Sequence, residues 1–276
     1  MQFERSFYMK VGFIGAGNMT SAIVKGMVKV QHLPKENIYI SNRSPEKLEK
    51  LASETGTIAC SSNEELVSQA DVVVLAIKPN LFSTVLPELS SHLIKYNPVV
   101  VSIAAGISLS QMHEWIGADS AMRLIRVMPN LNSQIGEGMA AVCGNEQATK
   151  DDVDFVISIF QSIGEAIVMK ETDFGVFSAI AGCSPAFTFL FIDSLSRAAV
   201  KYGIPKEMAT KIAAQAVLGS SKMVLESDET PWNLIDQVSS PGGTTIEGVL
   251  ALEENGFLTS VVKAVDAVVE KDNNMN

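Results

Sequence analysis

Cysteine, histidine and positive charge are scarce in this chain, and each shortage closes off a class of function. The three cysteines, Cys60, Cys143 and Cys183, are odd in number and far apart. That spacing excludes a disulfide framework and a CxxC metal knuckle, and it fits a reducing cytosol. His32, His92 and His113 have no ligand spacing, so they read as structural or solvated residues and no metal site is expected. Lysine and arginine total 21 against 31 aspartates and glutamates, and the resulting formal charge of -10 repels phosphate backbones. With no basic cluster to offset it, nucleic acid is not an expected partner. No run reaches the roughly 18 consecutive apolar residues of a membrane span. The stretch before Met9 carries a charge pair where a secretory signal would have an apolar core. A cytoplasmic protein with no membrane partner is therefore expected.

What is present suits a folded chain: 276 residues, 47% hydrophobic and 19% charged, enough to bury a sizeable core. There is no internal repeat or low-complexity segment, so hydrophobic patterning carries the reading. Residues 10–14 form a strand pattern, a glycine-bearing break follows, and residues 19–30 continue as a helix. Residues 37–41 read as a second strand and 46–55 as a helix opened by Ser44-Pro45. The runs 71–77 and 98–104 are apolar throughout, as strands buried on both faces should be, with a crossover helix at 81–96 between them. Further strands are expected at 122–127, 139–143 and 166–169, with a helix at 153–164. Beyond Thr172 strand-like alternation stops, and 174–202, 206–225, 244–254 and 258–270 are helical candidates punctuated by Gly203-Ile204-Pro205, Thr230-Pro231 and Pro241-Gly242-Gly243. The predicted class is α/β: a doubly wound parallel sheet at 9–169, then an all-helical domain at 170–271.

The break after the first strand reads Gly15-Ala16-Gly17-Asn18-Met19. Gly15 suits a tight turn, and Gly17 lets a pyrophosphate approach the backbone at a helix N-terminus, where free amides and the helix dipole bind it. The third position of the GxGxxG pattern is Thr20, a departure, but the strand–turn–helix setting is the one that gives the motif meaning. NAD-binding versions place an acid at the end of the second strand for the ribose hydroxyl. Here that stretch is Ser41-Asn42-Arg43-Ser44, and a guanidinium with hydroxyls suits a ribose phosphate. NADP(H) is the expected cofactor, with NAD(H) as the alternative. The competing view makes Arg43 a solvated loop charge.

A second constellation, Ser239-Ser240-Pro241-Gly242-Gly243-Thr244-Thr245, precedes a predicted helix. Free amides and hydroxyls at a positive dipole end suit a small carboxylate, although a turn with a capping threonine would look the same. With GFIGAGNM at 12–19, AIKP at 76–79, RVMPN at 126–130 and DQVSSPGGTTIEGVLALEENGF at 236–257, the chain resembles the pyrroline-5-carboxylate reductase family from Met9 to about Glu270.

The resemblance implies a Rossmann domain, a helical dimerisation domain and NADPH-dependent reduction of a cyclic imino acid to proline by a homodimer or a larger assembly of dimers. By position it implies that Ser240, Gly243 and Thr244 receive the substrate carboxylate and that Thr245 hydrogen-bonds the ring nitrogen. Gly15, Ala16, Gly17, Asn18 and Met19 would hold the pyrophosphate. Asn42, Arg43, Ser44 and Asn63 would serve the adenosine phosphate end, and Ala76, Lys78, Pro79 and Ala104 would line the cofactor cleft towards the nicotinamide. A protonated imine is already electrophilic, so positioning is expected to dominate catalysis, with Thr245 orienting the nitrogen and no general acid assigned. Lys78 reads equally well as a surface lysine.

One stretch departs from the family pattern. Residues 181–186 read AGCSPA where relatives have SGSGPA or AGSGPA, so Cys183 and Ser184 stand at two positions of changed size. The departure leaves open a reductase of another cyclic imino acid, or a non-catalytic NADP-binding regulator. Cys183 itself reads as a small packing residue in preference to a reactive thiol.

Overall fold

The computed structural model describes residues 8–117 and 119–274. The strands are β1 (Val11–Ile14), β2 (Ile38–Ser41), β3 (Ile58–Ala59), β4 (Val72–Leu75), β5 (Val99–Ser102), β6 (Leu124–Met128), β7 (Gly138–Gly144) and β8 (Gly164–Val168). They form one sheet in the order β3-β2-β1-β4-β5-β6-β7-β8. Among the described residues only the β6–β7 pair is antiparallel. The order reverses between β1 and β4, which is the switch point where doubly wound sheets bind ligands.

The sheet unit contains α1 (Asn18–Lys29), α2 (Pro45–Thr55), α3 (Asn63–Gln69), α4 (Phe82–Tyr96), α5 (Leu109–Ile116), α6 (Lys150–Gln161) and the short α7 (Phe174–Phe177). The central strands are buried on both faces, and alternate residues supply two cores. Phe13, Val72, Val74 and Val101 pack with Ile23, Leu51 and Phe160 from α1, α2 and α6. Val73, Leu75 and Val100 pack with Leu66, Leu86 and Met112 from α3, α4 and α5. Period-two alternation with helices on both sides explains the uninterrupted apolar runs.

Four elements go beyond the predicted set. β3 has only two residues. Helices α3 and α5 are short, but each is opened by a serine, Ser62 accepting from the Glu65 amide and Ser108 from the Gln111 amide. The pair Thr230-Pro231, expected as punctuation, instead caps and starts α10 (Pro231–Val238).

The chain divides into two compact units, one running through the described residues to Gly182 with Asp272 onward, the other being Cys183–Lys271. The second unit holds α8 (Ser184–Lys201), α9 (Lys206–Glu226), α10, α11 (Thr244–Glu254) and most of α12 (Phe257–Asn273). The helix expected over 174–202 is interrupted: Ser178–Cys183 winds as a π-turn between α7 and α8. The stretch Glu171–Lys201 is nevertheless long and apolar enough to cross a membrane by length and composition, which the sequence pattern does not anticipate because serines and a threonine break its apolar run. Its first part is packed on the sheet unit, where Phe174, Phe177 and Ala181 meet Ala141 and Cys143.

Candidate active site

The turn after β1 needs its glycine. Gly15 has φ +112, a region that side chains disfavour, and a β-carbon there would strike the carbonyl oxygen of Ala76 at the end of β4. The turn is tied to both neighbouring strands: the Gly15 amide donates to the Ser41 carbonyl at 2.8 Å, and the Ala76 amide donates to the Ile14 carbonyl at 2.9 Å. Gly17 serves differently. It caps α1 in extended conformation with no side-chain cap, and a β-carbon on it would meet nothing within 4 Å. The space beside Gly17 at the N-terminus of α1 is therefore open, as an approaching diphosphate requires.

Asn42 is part of the scaffold of this turn. Its Oδ1 accepts from the Ala16 amide at 3.1 Å, and its Nδ2 donates to the Ser44 carbonyl at 2.9 Å. Arg43 is exposed beside it, and Ser44 precedes α2 without donating or accepting a side-chain cap bond. Asn63 opens α3 and accepts from the Ser41 hydroxyl at 2.7 Å. The two residues after it, Glu64 and Glu65, are held below the ordinary carboxylate range, Glu64 chiefly by its own backbone amide and Glu65 chiefly by the Ser61 hydroxyl. Ala76, Lys78 and Pro79 follow β4, with Lys78 exposed ahead of a 3₁₀ turn at Pro79–Leu81. Ala104 is buried two residues past β5, its amide on the Ser102 hydroxyl at 3.2 Å.

The register pairs Ile14 with Ser41 and with Leu75, and Leu75 with Ser102. The carboxyl ends of β2, β1, β4 and β5 thus lie side by side. All the nucleotide candidates are on that rim, at the switch point. The buried Ser41 is a scaffold residue whose link to Asn63 no local pattern announces.

In the helical unit the candidate loop lies between α10 and α11. Gly242 has φ +68, and the Gly243 amide closes a turn onto the Ser240 carbonyl at 2.9 Å. Gly243 caps α11 with no side-chain bond, so Thr244 and Thr245 lead the helix exposed, with their hydroxyls free of the cap. The first-turn amides and these hydroxyls form a donor set matched to a carboxylate.

The histidines have structural settings within the sheet unit. His113 Nε2 is 2.9 Å from the Ser120 carbonyl, His32 packs against Phe155, and His92 stacks on Tyr96.

Residues 10–106 match the family model described as NADP oxidoreductase, coenzyme F420-dependent, and residues 171–275 match that described as pyrroline-5-carboxylate reductase dimerisation. Pyrroline-5-carboxylate reductase of Escherichia coli K12 is 41% identical over 267 residues, 97% of this chain and 98% of that protein. The corresponding protein of Arabidopsis thaliana is 37% identical over 97% of this chain and 95% of its own length. The solved reductase of Coxiella burnetii aligns with a TM-score of 0.93 at 32% identity, covering 97% of this chain and 98% of that one. The Plasmodium falciparum pyrroline carboxylate reductase, solved with NADP bound, aligns at 0.83 with 34% identity over 98% of each chain. With near-complete coverage at these identities, and with a glycine turn at the switch point of its sheet, the chain belongs to the pyrroline-5-carboxylate reductase family of oxidoreductases.

Proposed function

We infer that this protein reduces 1-pyrroline-5-carboxylate to L-proline with NADPH. The observation that carries the reading is the rim formed by β2, β1, β4 and β5, where a turn open above Gly17 sits beside an exposed Arg43 and no acid ends β2. NADPH, when bound, supplies the hydride that reduces the C=N bond, and the ring nitrogen keeps the proton of the iminium. The residues of this chain bind and orient. The amides opening α1 hold the diphosphate. Arg43 and the Ser44 hydroxyl hold the ribose phosphate, and Asn42 and Asn63 serve the same adenosine phosphate end. Ala76, Lys78, Pro79 and Ala104 form the wall towards the nicotinamide. In the other unit, Ser240, Gly243 and Thr244 bind the carboxylate, and Thr245 aligns the ring nitrogen.

The working form is a homodimer in the cytoplasm. Within Cys183–Lys271 the buried residues are Pro185, Ser196, Ala209 and Ala213, while Leu190 is 68% and Leu225 85% exposed. Such an apolar surface suits a second copy of the chain. In functional terms the nucleotide domain is 9–169 and the dimerisation and substrate domain 170–271, although residues 171–182 pack with the sheet unit.

The test is purified protein with NADPH and pyrroline-5-carboxylate. Cofactor oxidation is expected, and its absence across neutral pH would overturn the reading. Running larger and smaller cyclic imino acids alongside shows whether Cys183 and Ser184 have shifted ring preference. Sedimentation finding only monomer at micromolar concentration would overturn the dimer.

A further inference from the structure

The stretch Arg126-Val127-Met128-Pro129-Asn130 is one of those that mark the family, yet neither the cofactor rim nor the loop at 239–245 uses it. Its last residue has an unusual task. In a regular helix the Ala181 carbonyl would accept from the amide of residue 185, but that residue is Pro185, which has no N–H and whose ring crowds the carbonyl four residues back. The chain relieves this with the π-turn Ser178–Cys183. Asn130 then supplies the missing donor, its Nδ2 lying 3.0 Å from the Ala181 oxygen. Its Oδ1 accepts from the Met139 amide on β7 at 3.1 Å, and the side chain is buried. The two partners fix which end of the carboxamide is which, because one offers only a donor and the other only an acceptor.

We propose that Asn130 is a positioning residue of the reductase: its carboxamide stands in for the amide hydrogen that Pro185 lacks, locks the π-turn to β7, and so sets where Cys183 and Ser184 lie during imine reduction. The positioning role rests on the reductase reading above; the lock itself does not. The bonds of its carboxamide go to Ala181 and Met139, outside the cofactor rim, so its removal is expected to lower imine turnover and to spare NADPH affinity.

The experiment compares Asn130→Ala, Asn130→Asp, and each combined with Pro185→Ala, which restores an amide at residue 185. Three readouts are taken: kcat/KM for the imine, NADPH affinity by fluorescence, and amide hydrogen exchange over residues 178–186. Asn130→Ala is expected to lower kcat/KM about tenfold, keep NADPH affinity within about twofold and speed exchange across the turn. Adding Pro185→Ala should recover much of the activity and slow the exchange. Asn130→Asp keeps an acceptor for Met139 and loses the donor, so it should reproduce the loss even if the alanine variant does not fold. Unchanged kcat/KM, a loss that Pro185→Ala leaves untouched, or a parallel fall in NADPH affinity would overturn the proposal. A wild-type protein inactive on the imine would overturn the reductase reading and with it the positioning role, while hydrogen exchange still decides the lock.

Discussion

The carbonyl oxygen of Ala76 occupies the space into which a side chain on Gly15 would project, so the ends of β1 and β4 approach as closely as they do only because residue 15 has none. Gly15→Ala must therefore distort the turn or push β4 aside, and its φ of +112 adds backbone strain. A stability loss of about 2–3 kcal/mol is expected in denaturant titrations, with NADPH binding weakened further than folding. A variant as stable and as tight as the parent would remove the turn from the cofactor site.

Arg43 is the cationic side chain at the end of β2 and is exposed. Arg43→Ala should raise the KM for NADPH about 10- to 30-fold, the worth of one charge-assisted contact, and leave that for NADH within about twofold. Equal effects on the two cofactors would place the ribose phosphate elsewhere.

Glu171 joins three parts of the sheet unit through one oxygen, which accepts from Arg126 Nη1 at 3.0 Å and from the Leu109 amide at 2.8 Å. The Arg126 guanidinium also lies over the Phe174 ring, 4.8 Å from its centre. Removing the carboxylate in Glu171→Ala strands a mostly buried guanidinium, and a loss of roughly 2 kcal/mol is expected by urea denaturation. The same change should make Cys143 easier to ionise. Burial first and the Glu171 charge second push that thiol up to about 11, and thiol labelling against pH would register the difference.

Burial pushes the His32 imidazole below its ordinary pKa, so between that lowered value and about 6.5 the unfolded chain binds a proton that the folded chain does not. Stability from this residue is present above about pH 6.5 and declines as the pH falls through that window. The fall in urea midpoint between about pH 7.5 and about pH 5.5 should be smaller in His32→Gln than in the parent. Equal falls would assign the acid sensitivity to other groups.

Much of this was legible because it is local. The glycine turn, the missing acid at Ser41-Asn42-Arg43-Ser44 and the two-faced apolar strands each state their requirement within a few residues, and the sheet, its helices and the candidate rim follow from them. Helices α3, α5 and α10 are hard to read from the sequence because each is only about two turns long, although Ser62, Ser108 and Thr230 cap their starts. The π-turn was legible only in part: Pro185 warns that a carbonyl will lack its donor, but the replacement comes from Asn130, 51 residues before Ala181. No window of sequence contains both. Ser41 and Asn63 are hidden in the same way, since their bond passes over α2 and β3 in the sequence to join the end of β2 to the start of α3.

The sparse interior of the helical unit bears on how the chain becomes functional. With only two alanines, a proline and a serine buried in Cys183–Lys271, too little apolar surface is removed from water to offset the ordering of that many residues. In the homodimer proposed above, its final stability would derive from association, and the last stage of folding would be bimolecular. The melting temperature should climb as the protein is concentrated, and dilution should loosen the helices before the sheet.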